Sequence, residues 1–158
     1  METIEKIAEN IEANIDLTAQ LEMICRCYKI DLNASPLYNF RDALSHYILR
    51  YEATADEEKI AQEASIKEHI FRGTKDIIVL ILNEMKYRVL DVLNPTSRRE
   101  QQQDFRRLLH GYKKLELEIR KNTESAVIRS LTPFVEALTN LIEETKVIFE
   151  LHGIDFYA

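Results

Sequence analysis

The residues best equipped for chemistry in this 158-residue sequence lie close together in its first third. Arg41, Asp42 and His46 occur in the stretch NFRDALSHY, residues 39–47. On a helix Asp42 and His46 are four positions apart on one face, so the carboxylate can orient the imidazole for general acid–base catalysis. Arg41 can bind a phosphate with its guanidinium group, or stabilise negative charge that develops there. These three are the candidate catalytic residues.

A helical wheel places the arginine and the histidine of this stretch on different sides of their helix. Arg41 lies at the edge of an apolar stripe that should face the core, whereas His46 lies on the far face, towards solvent or another subunit. The two side chains diverge by about 140°, so a shared site needs a groove, a helix distortion or a second subunit. The alternative is an ordinary edge arginine and an exposed histidine. The stripe consists of Leu37, Phe40, Leu44, Tyr47, Ile48 and Tyr51.

The segment from Arg41 to His46, RDALSH, resembles the signature of the HEPN superfamily, an arginine followed by a polar residue and, four to six positions after the arginine, a histidine. The resemblance implies a bundle of four or five helices that dimerises and brings two copies of the motif into one cleft. It also implies metal-independent ribonuclease activity of a toxin or defence type, with Arg41 and His46 acting on an RNA phosphate, or binding alone. No cofactor or metal is expected.

A second polar row is predicted on the third helix, which is otherwise rich in isoleucine and leucine. His69, Arg72 and Asp76 are the candidate binding residues there, and Arg72 and Asp76 are four apart, as a salt bridge requires. A bend or a close contact is predicted at Gly73. The alternative is the solvated face of a long helix. The row consists of Gln62, Ser65, His69, Arg72, Asp76 and Asn83.

A basic segment covers residues 98–121, in a chain whose net charge is −6. It holds 8 Lys and Arg against 4 Asp and Glu, and Arg106 and Arg107 are its candidate binding residues. Cations can hold RNA phosphates while the interleaved Phe105, His110 and Tyr112 stack on bases. The alternative is an ordinary charged helix face.

The composition predicts long helices, because only 3 glycines and 3 prolines are present to make turns. Apolar residues recur at three- and four-residue spacing, and capping signals occur at Ser35, at Thr54 with Glu57, and at Ser97 with Glu100. We therefore expect an all-α fold, an up-and-down antiparallel bundle in a single domain, residues 1–158. The five helices are expected at about 3–29, 36–53, 54–93, 98–130 and 132–152.

Several classes are disfavoured by the sequence. It has no glycine-rich phosphate loop, no G-x-S-x-G, no H-E-x-x-H and no C-x-x-C. Cys25 and Cys27 are two apart, so on a helix they diverge and should remain reduced thiols. The most apolar run, residues 77–82, is too short for a membrane span, and no secretory signal is recognisable. We expect a cytoplasmic protein.

Two functional hypotheses follow from these features. The first is a homodimer that binds or cleaves RNA, or binds a nucleotide, at a cleft containing Arg41 and His46. The second is a non-enzymatic interaction module whose helical faces bind a partner protein.

Overall fold

The computed structural model describes the backbone of residues 4–93, 99–123 and 131–157, and the side chains of these ranges other than 4–15, 101, 122 and 123. It contains five helices, and no strand occurs in these ranges. The predicted all-α fold of five helices is therefore confirmed. The helices are α1 Ile4–Cys27, α2 Ala34–Glu52, α3 Asp56–Val92, α4 Arg99–Thr123 and α5 Thr132–Leu151.

The start of α2 differs from the prediction. Ser35 was expected to cap this helix, but the N-cap is Asn33, whose side chain accepts a hydrogen bond from the Ser35 amide. The helix begins at Ala34, so Pro36 occupies its third position rather than its first. Proline is tolerated there because the first amides of a helix have no intrahelical acceptor. Ser35 is thereby released for a contact with α3, described below.

The other helix ends agree with the sequence to within a few residues where they are described. The α3 helix begins at Asp56. The Lys59 amide donates the first hydrogen bond of this helix to the Ala55 carbonyl, so Ala55 is the cap residue and Thr54 lies one position before it. Gly153 ends α5 with φ 68°, as the glycine signal predicts. The capping signal at Ser97 and the predicted extension of α4 over 124–130 lie outside the described residues.

The chain divides into two compact units. The first contains α1, α2 and residues 56–77 of α3, and the second contains residues 78–92 of α3 together with α4 and α5. Each unit has its own packing, described separately below.

In the first unit α2 and α3 run antiparallel, because Ser35 contacts Asp76 whereas Arg50 contacts Glu63. The predicted orientation of α2 is wrong. Apart from Phe40, its apolar stripe faces outward, with Leu37, Leu44 and Tyr51 at 56%, 61% and 83% exposure. The face that packs on α3 is instead small and polar, with one residue in every three or four turned inward. That face consists of Pro36, Asn39, Ala43, His46 and Arg50.

Two contacts explain how such a face can pack. Ala43 forms a buried cluster with Ile66 and Ile70, since a small side chain lets the two helices approach. Phe40 lies against Gly73, where an added Cβ would come within 2.8 Å of the phenyl ring. The predicted close contact at Gly73 is thus confirmed.

In the second unit α4 and α5 form an antiparallel pair around aromatic residues. Asp104 contacts His152 at 2.9 Å, and the Tyr112 hydroxyl lies 2.7 Å from the Thr145 hydroxyl, farther along α4 and earlier on α5. Phe105 and Tyr112 are both fully buried. They belong to the core, so the expectation that they stack on bases is wrong.

None of the described helices has the length and apolar character needed to cross a membrane.

Candidate functional site

A ladder of polar contacts joins α2 to α3 in the first unit. At its first rung Asp76 accepts hydrogen bonds from the Ser35 hydroxyl at 2.9 Å and from the Asn39 side-chain amide at 3.1 Å. Because a carboxylate accepts only, it fixes the NH2 group of Asn39 towards Asp76. The carbonyl oxygen of Asn39 is then turned to the next rung, where it lies 3.4 Å from Nδ1 of His69.

Two histidines form the centre of the ladder. The rings of His46 on α2 and His69 on α3 stack with their centroids 5.2 Å apart and their planes inclined by 19°. Nδ1 of His46 lies 2.7 Å from the side-chain oxygen of Gln62. Both histidines are half-buried, so one edge of each ring reaches the surface.

The hydrogen bonds of the two rings assign their nitrogens different roles. The carbonyl oxygens of Gln62 and Asn39 can only accept, so Nδ1 donates in both His46 and His69. Each Nε2 is left without a contact among the described residues, and in the neutral ring it carries a lone pair. Two anchored imidazoles with open Nε2 atoms can exchange protons with a bound molecule, or hold an anion when they are protonated.

Asp42 forms an ion pair with its neighbour Arg41 on α2. Its carboxylate oxygen Oδ1 accepts hydrogen bonds from Nε and Nη2 of Arg41, at 3.1 and 2.8 Å. The hydrogen bond from Arg41 lowers the pKa of the Asp42 carboxyl below its ordinary value, and the charges of Arg41, His69 and His46 lower it further. The Arg41 guanidinium also lies 5.1 Å from the centre of the Tyr38 ring.

Three expected arrangements are corrected by these contacts. Asp42 pairs with Arg41 rather than with His46, whose orientation comes from Gln62. Arg72 forms its ion pair with Glu68 rather than with Asp76, because the Asp76 carboxylate already accepts hydrogen bonds from α2. His46 faces α3 instead of pointing away from the protein, because α2 presents its polar side to that helix.

The last rung is a charged pair at the end of α2. Arg50 Nε donates to Oε1 of Glu63 at 2.6 Å, and the Glu63 side chain is only 8% exposed. The second carboxylate oxygen, Oε2, is buried and has no hydrogen-bond partner among the described residues. Neither residue is among those predicted from the sequence. Their signal is the spacing of seven, since Arg50 follows Ala43 on the inward face of α2 and Glu63 precedes Ile70 on α3.

Asn39 and Gln62 also hold the site. Gln62 belongs to the polar row predicted on the third helix, whereas Asn39 was not expected to take part. The signal was again a seven-residue repeat: Asn39 and His46 on α2, with Gln62, His69 and Asp76 on α3. Seven residues make nearly two full turns, so each set lies along one side of its helix.

The predicted binding residues of the basic segment lie on α4, in the second unit. Arg106 is exposed, and no ion pair involves it among the described residues. Arg107 is exposed too, but lies 3.4 Å from Glu144 on α5 and 3.8 Å from Asp104.

Beside the ladder, the first unit has an open apolar groove of about 490 Å³. It is bordered by the outward side chains Leu44 and Tyr47, so it continues the exposed apolar face of α2. Its lining residues come from α1, α2 and α3: Thr18, Ala19, Glu22, Phe40, Ala43, Leu44, Tyr47, Ile66 and Ile70.

Within the described ranges no group of three or more His, Cys, Asp or Glu side chains is placed to hold a metal ion. Cys25 is buried and Cys27 exposed, and both are free thiols. Comparison of the chain with protein-family models, with curated proteins and with solved structures gives no match.

Proposed function

We propose that the surface around Arg41, His46 and His69 binds a phosphate group of RNA or of a nucleotide, as the resemblance to the HEPN superfamily implies. The observation that supports this most is the stack of His46 on His69. Arg41, which is paired with Asp42, precedes His46 by five residues on the same helix. Three potential cations and a single carboxylate suit an anion. Arg41 offers the planar donor group that matches phosphate oxygens.

Cleavage of RNA without a metal needs a base and an acid. The base takes the proton of the 2′-hydroxyl as that oxygen attacks phosphorus, and the acid protonates the 5′-oxygen as its bond to phosphorus breaks. These two groups act from opposite sides of the phosphorus atom. Parallel rings 5.2 Å apart approach a phosphate from one side, so a single chain is suited to binding. A second subunit would supply the opposite group.

The homodimer is therefore part of this proposal, and the outward face of α2 is the surface proposed for it. Tyr47, Ile48 and Tyr51 are 59%, 52% and 83% exposed along one side of this helix. Contiguous apolar surface of this kind marks protein contacts. Joining two copies through α2 would also bring their Arg41 side chains close to a common cleft.

The binding test uses a fluorescein-labelled 12-nucleotide RNA and a labelled adenosine 5′-phosphate in anisotropy titrations. Arg41→Ala, His46→Gln and His69→Gln should each weaken binding about tenfold or more, as expected for loss of one charge-assisted contact. Arg26→Ala is the matched control, because Arg26 is also exposed and also paired with a neighbouring carboxylate, Glu22. Unchanged affinity in all three variants would overturn the proposal.

The cleavage test follows the labelled RNA on a denaturing gel in the presence of EDTA. Cleavage by the wild-type protein that is lost in His46→Gln supports the ribonuclease. Binding without cleavage supports a phosphate-binding protein that has no nuclease activity.

The second candidate function is a non-enzymatic interaction module, and the exposed apolar face of α2 with its groove favours it. Leu37→Glu combined with Ile48→Glu should convert a dimer into a monomer in light scattering, whereas Leu151→Glu, at a still more exposed leucine on α5, should not. If the wild-type protein is a monomer and binds no phosphate, the result would favour binding of a different protein to this face of α2.

A further inference from the structure

The outward face of α4 has an unusual distribution of charge. Arg99, Arg106, Lys113 and Arg120 are exposed and spaced seven residues apart, so they form a column along one side of the helix. Seven residues rise about 10.5 Å, and the column spans about 31 Å. Three further exposed cations, Arg107, Lys114 and Lys121, lie beside it.

The acidic residues of α4 do not interrupt this face. At 100° per residue, Glu100 and Glu118 lie at one edge of it, and Asp104 and Glu116 lie towards the buried side. The buried residues Phe105, Leu108 and Tyr112 lie on the opposite side of the helix. The cations therefore occupy the part of α4 that projects farthest into solvent, which we call the cationic face.

A small pocket lies at one end of the cationic face. It has a volume of about 290 Å³ and is lined by Lys86 on α3 and by Lys113, Glu116, Leu117 and Arg120 on α4. Glu116 accepts hydrogen bonds from Lys86 at 2.6 Å and from Arg120 at 2.9 Å, so it holds both cations in place. Three cations and one carboxylate leave this pocket positively charged. It is large enough for a phosphate group.

We propose that the cationic face of α4 is an RNA-binding surface that holds a single strand by its phosphates, with one phosphate in the pocket beside Lys113. The choice of RNA among polyanions rests on the function proposed above. The surface itself rests on α4 and on Lys86 of α3. Arg99, Arg106 and Lys113 form no ion pair among the described residues, so they are available to phosphates.

The same face disfavours other anionic partners. A helix that lies on a membrane buries its apolar side in the lipid, but the apolar side of α4 is already the core of the second unit. Leu117 is the one large apolar side chain in the column. Because Phe105 and Tyr112 are buried, the exposed ring on the described part of this face is the imidazole of His110, and stacking on it tolerates every base. Binding should therefore depend on salt and not on sequence.

The first measurement is the salt dependence of binding to the 12-nucleotide RNA. Four phosphates neutralised by the column predict a slope of about −2.8 in log K against log salt, or about 50-fold weaker binding at 200 mM than at 50 mM. Arg106→Glu combined with Lys113→Glu should reduce this change to about sevenfold, since two contacts remain. The affinity at 50 mM should also fall by about tenfold or more.

The matched control is Lys29→Glu combined with Lys59→Glu, which changes the net charge equally but lies in the first unit. Equal loss of affinity in both double variants would overturn the proposal, because the effect would then come from net charge alone. Two RNAs of unrelated sequence should bind within about twofold of each other. A strong preference for one would also overturn it.

The partner class is tested with vesicles that contain phosphatidylserine and with poly-glutamate. Binding to either, with no binding to RNA, would overturn the proposal. His46→Gln separates this surface from the site on α2 and α3. If His46→Gln leaves RNA binding intact while the α4 double variant abolishes it, the RNA-binding surface stands and the proposed phosphate site fails. If instead His46→Gln abolishes RNA binding and the α4 double variant leaves it intact, the proposed RNA-binding surface on α4 is rejected and the phosphate site stands.

Discussion

The imidazole of His46 stacks on that of His69, with 5.2 Å between the ring centroids, although 23 positions separate the two residues in the chain. Each ring is anchored at Nδ1 by a side-chain carbonyl oxygen, from Gln62 in one case and from Asn39 in the other. The Asn39 carbonyl is itself oriented by Asp76. The positions of the two rings therefore depend on residues that do not touch a phosphate in the proposed site.

The dependence of His69 on Asn39 can be tested directly. In Asn39→Ala the Nδ1 of His69 loses its acceptor, so the ring should lose its preference for the Nδ1-protonated form while His46 retains it. ¹⁵N NMR of the neutral imidazoles measures this. Phosphate affinity should fall by about three- to tenfold, as for loss of a positioning hydrogen bond. Asn140→Ala, at an exposed position of α5, is the control. An unchanged His69 spectrum would contradict the assignment.

The Arg50–Glu63 pair should matter for stability. Arg50→Met leaves the Glu63 carboxylate buried without its cation, and we expect the free energy of unfolding to fall by about 2–3 kcal/mol. This expected loss of stability is at or below the low end of the range for breaking a buried ion pair, because the Arg50 side chain is 35% exposed. Urea denaturation measures the loss. Arg26→Met removes an exposed pair and should cost less than about 1 kcal/mol. Adding Glu63→Leu to Arg50→Met should restore stability.

The helices could be predicted from the sequence because their signals are local. Periodicity, few glycines and the glycine at position 153 gave five helices with bounds close to those observed. The orientation of α2 could not be predicted in this way. The apolar stripe of Leu37, Leu44 and Tyr51 predicted which face of α2 is buried. The face that is actually buried is the one whose side chains find partners on α3.

The candidate site could be predicted only in part, because the sequence pattern of one helix does not show which residues of another helix it contacts. His46 and His69 were both singled out, but on separate rows, since nothing in either helix alone shows that the rows meet. The pairing of Asp42 with His46 was inferred from spacing within one helix. Arg41 competes for the same carboxylate, and a guanidinium with two donors forms the stronger contact.

Two glycines should respond oppositely to alanine. Replacement of a glycine inside a helix ordinarily stabilises it by about 1 kcal/mol. At Gly111 the new Cβ would meet the flexible end of Leu141, so Gly111→Ala should be neutral or stabilising. At Gly73 it would meet the Phe40 ring at 2.8 Å, so Gly73→Ala should lower the free energy of unfolding by about 1 kcal/mol. Adding Phe40→Leu to Gly73→Ala should offset that loss. If the effects of the two substitutions on the free energy of unfolding simply add, the contact between Phe40 and residue 73 is contradicted.

Lys29 occupies a backbone position that suits glycine. Its φ of 53° lies in the left-handed region, at the end of α1. The Ile30 amide bonds to the Cys25 carbonyl and the Lys29 amide to the Arg26 carbonyl, the same pattern that Gly153 and Ile154 make after α5. Lys29→Gly should therefore stabilise the protein by about 0.5–1 kcal/mol, and Gly153→Ala should destabilise it by about 1 kcal/mol. Denaturant titrations that give both changes the same sign would contradict this.

The two cysteines should differ in reactivity and in their effect on stability at high pH. Burial, together with the nearby charge of Glu22, raises the pKa of the Cys25 thiol from 9.0 to about 11. At pH 8 iodoacetamide should therefore label the exposed Cys27 and leave Cys25 unmodified until urea unfolds the chain, which mass spectrometry can follow. Because the unfolded chain ionises first, the stabilisation is fully present below pH 9 and is lost as the pH rises towards 11. Cys25→Ala should remove this part of the pH dependence, whereas Cys27→Ala should leave it unchanged. Equal labelling of both thiols in the folded protein would contradict the burial of Cys25.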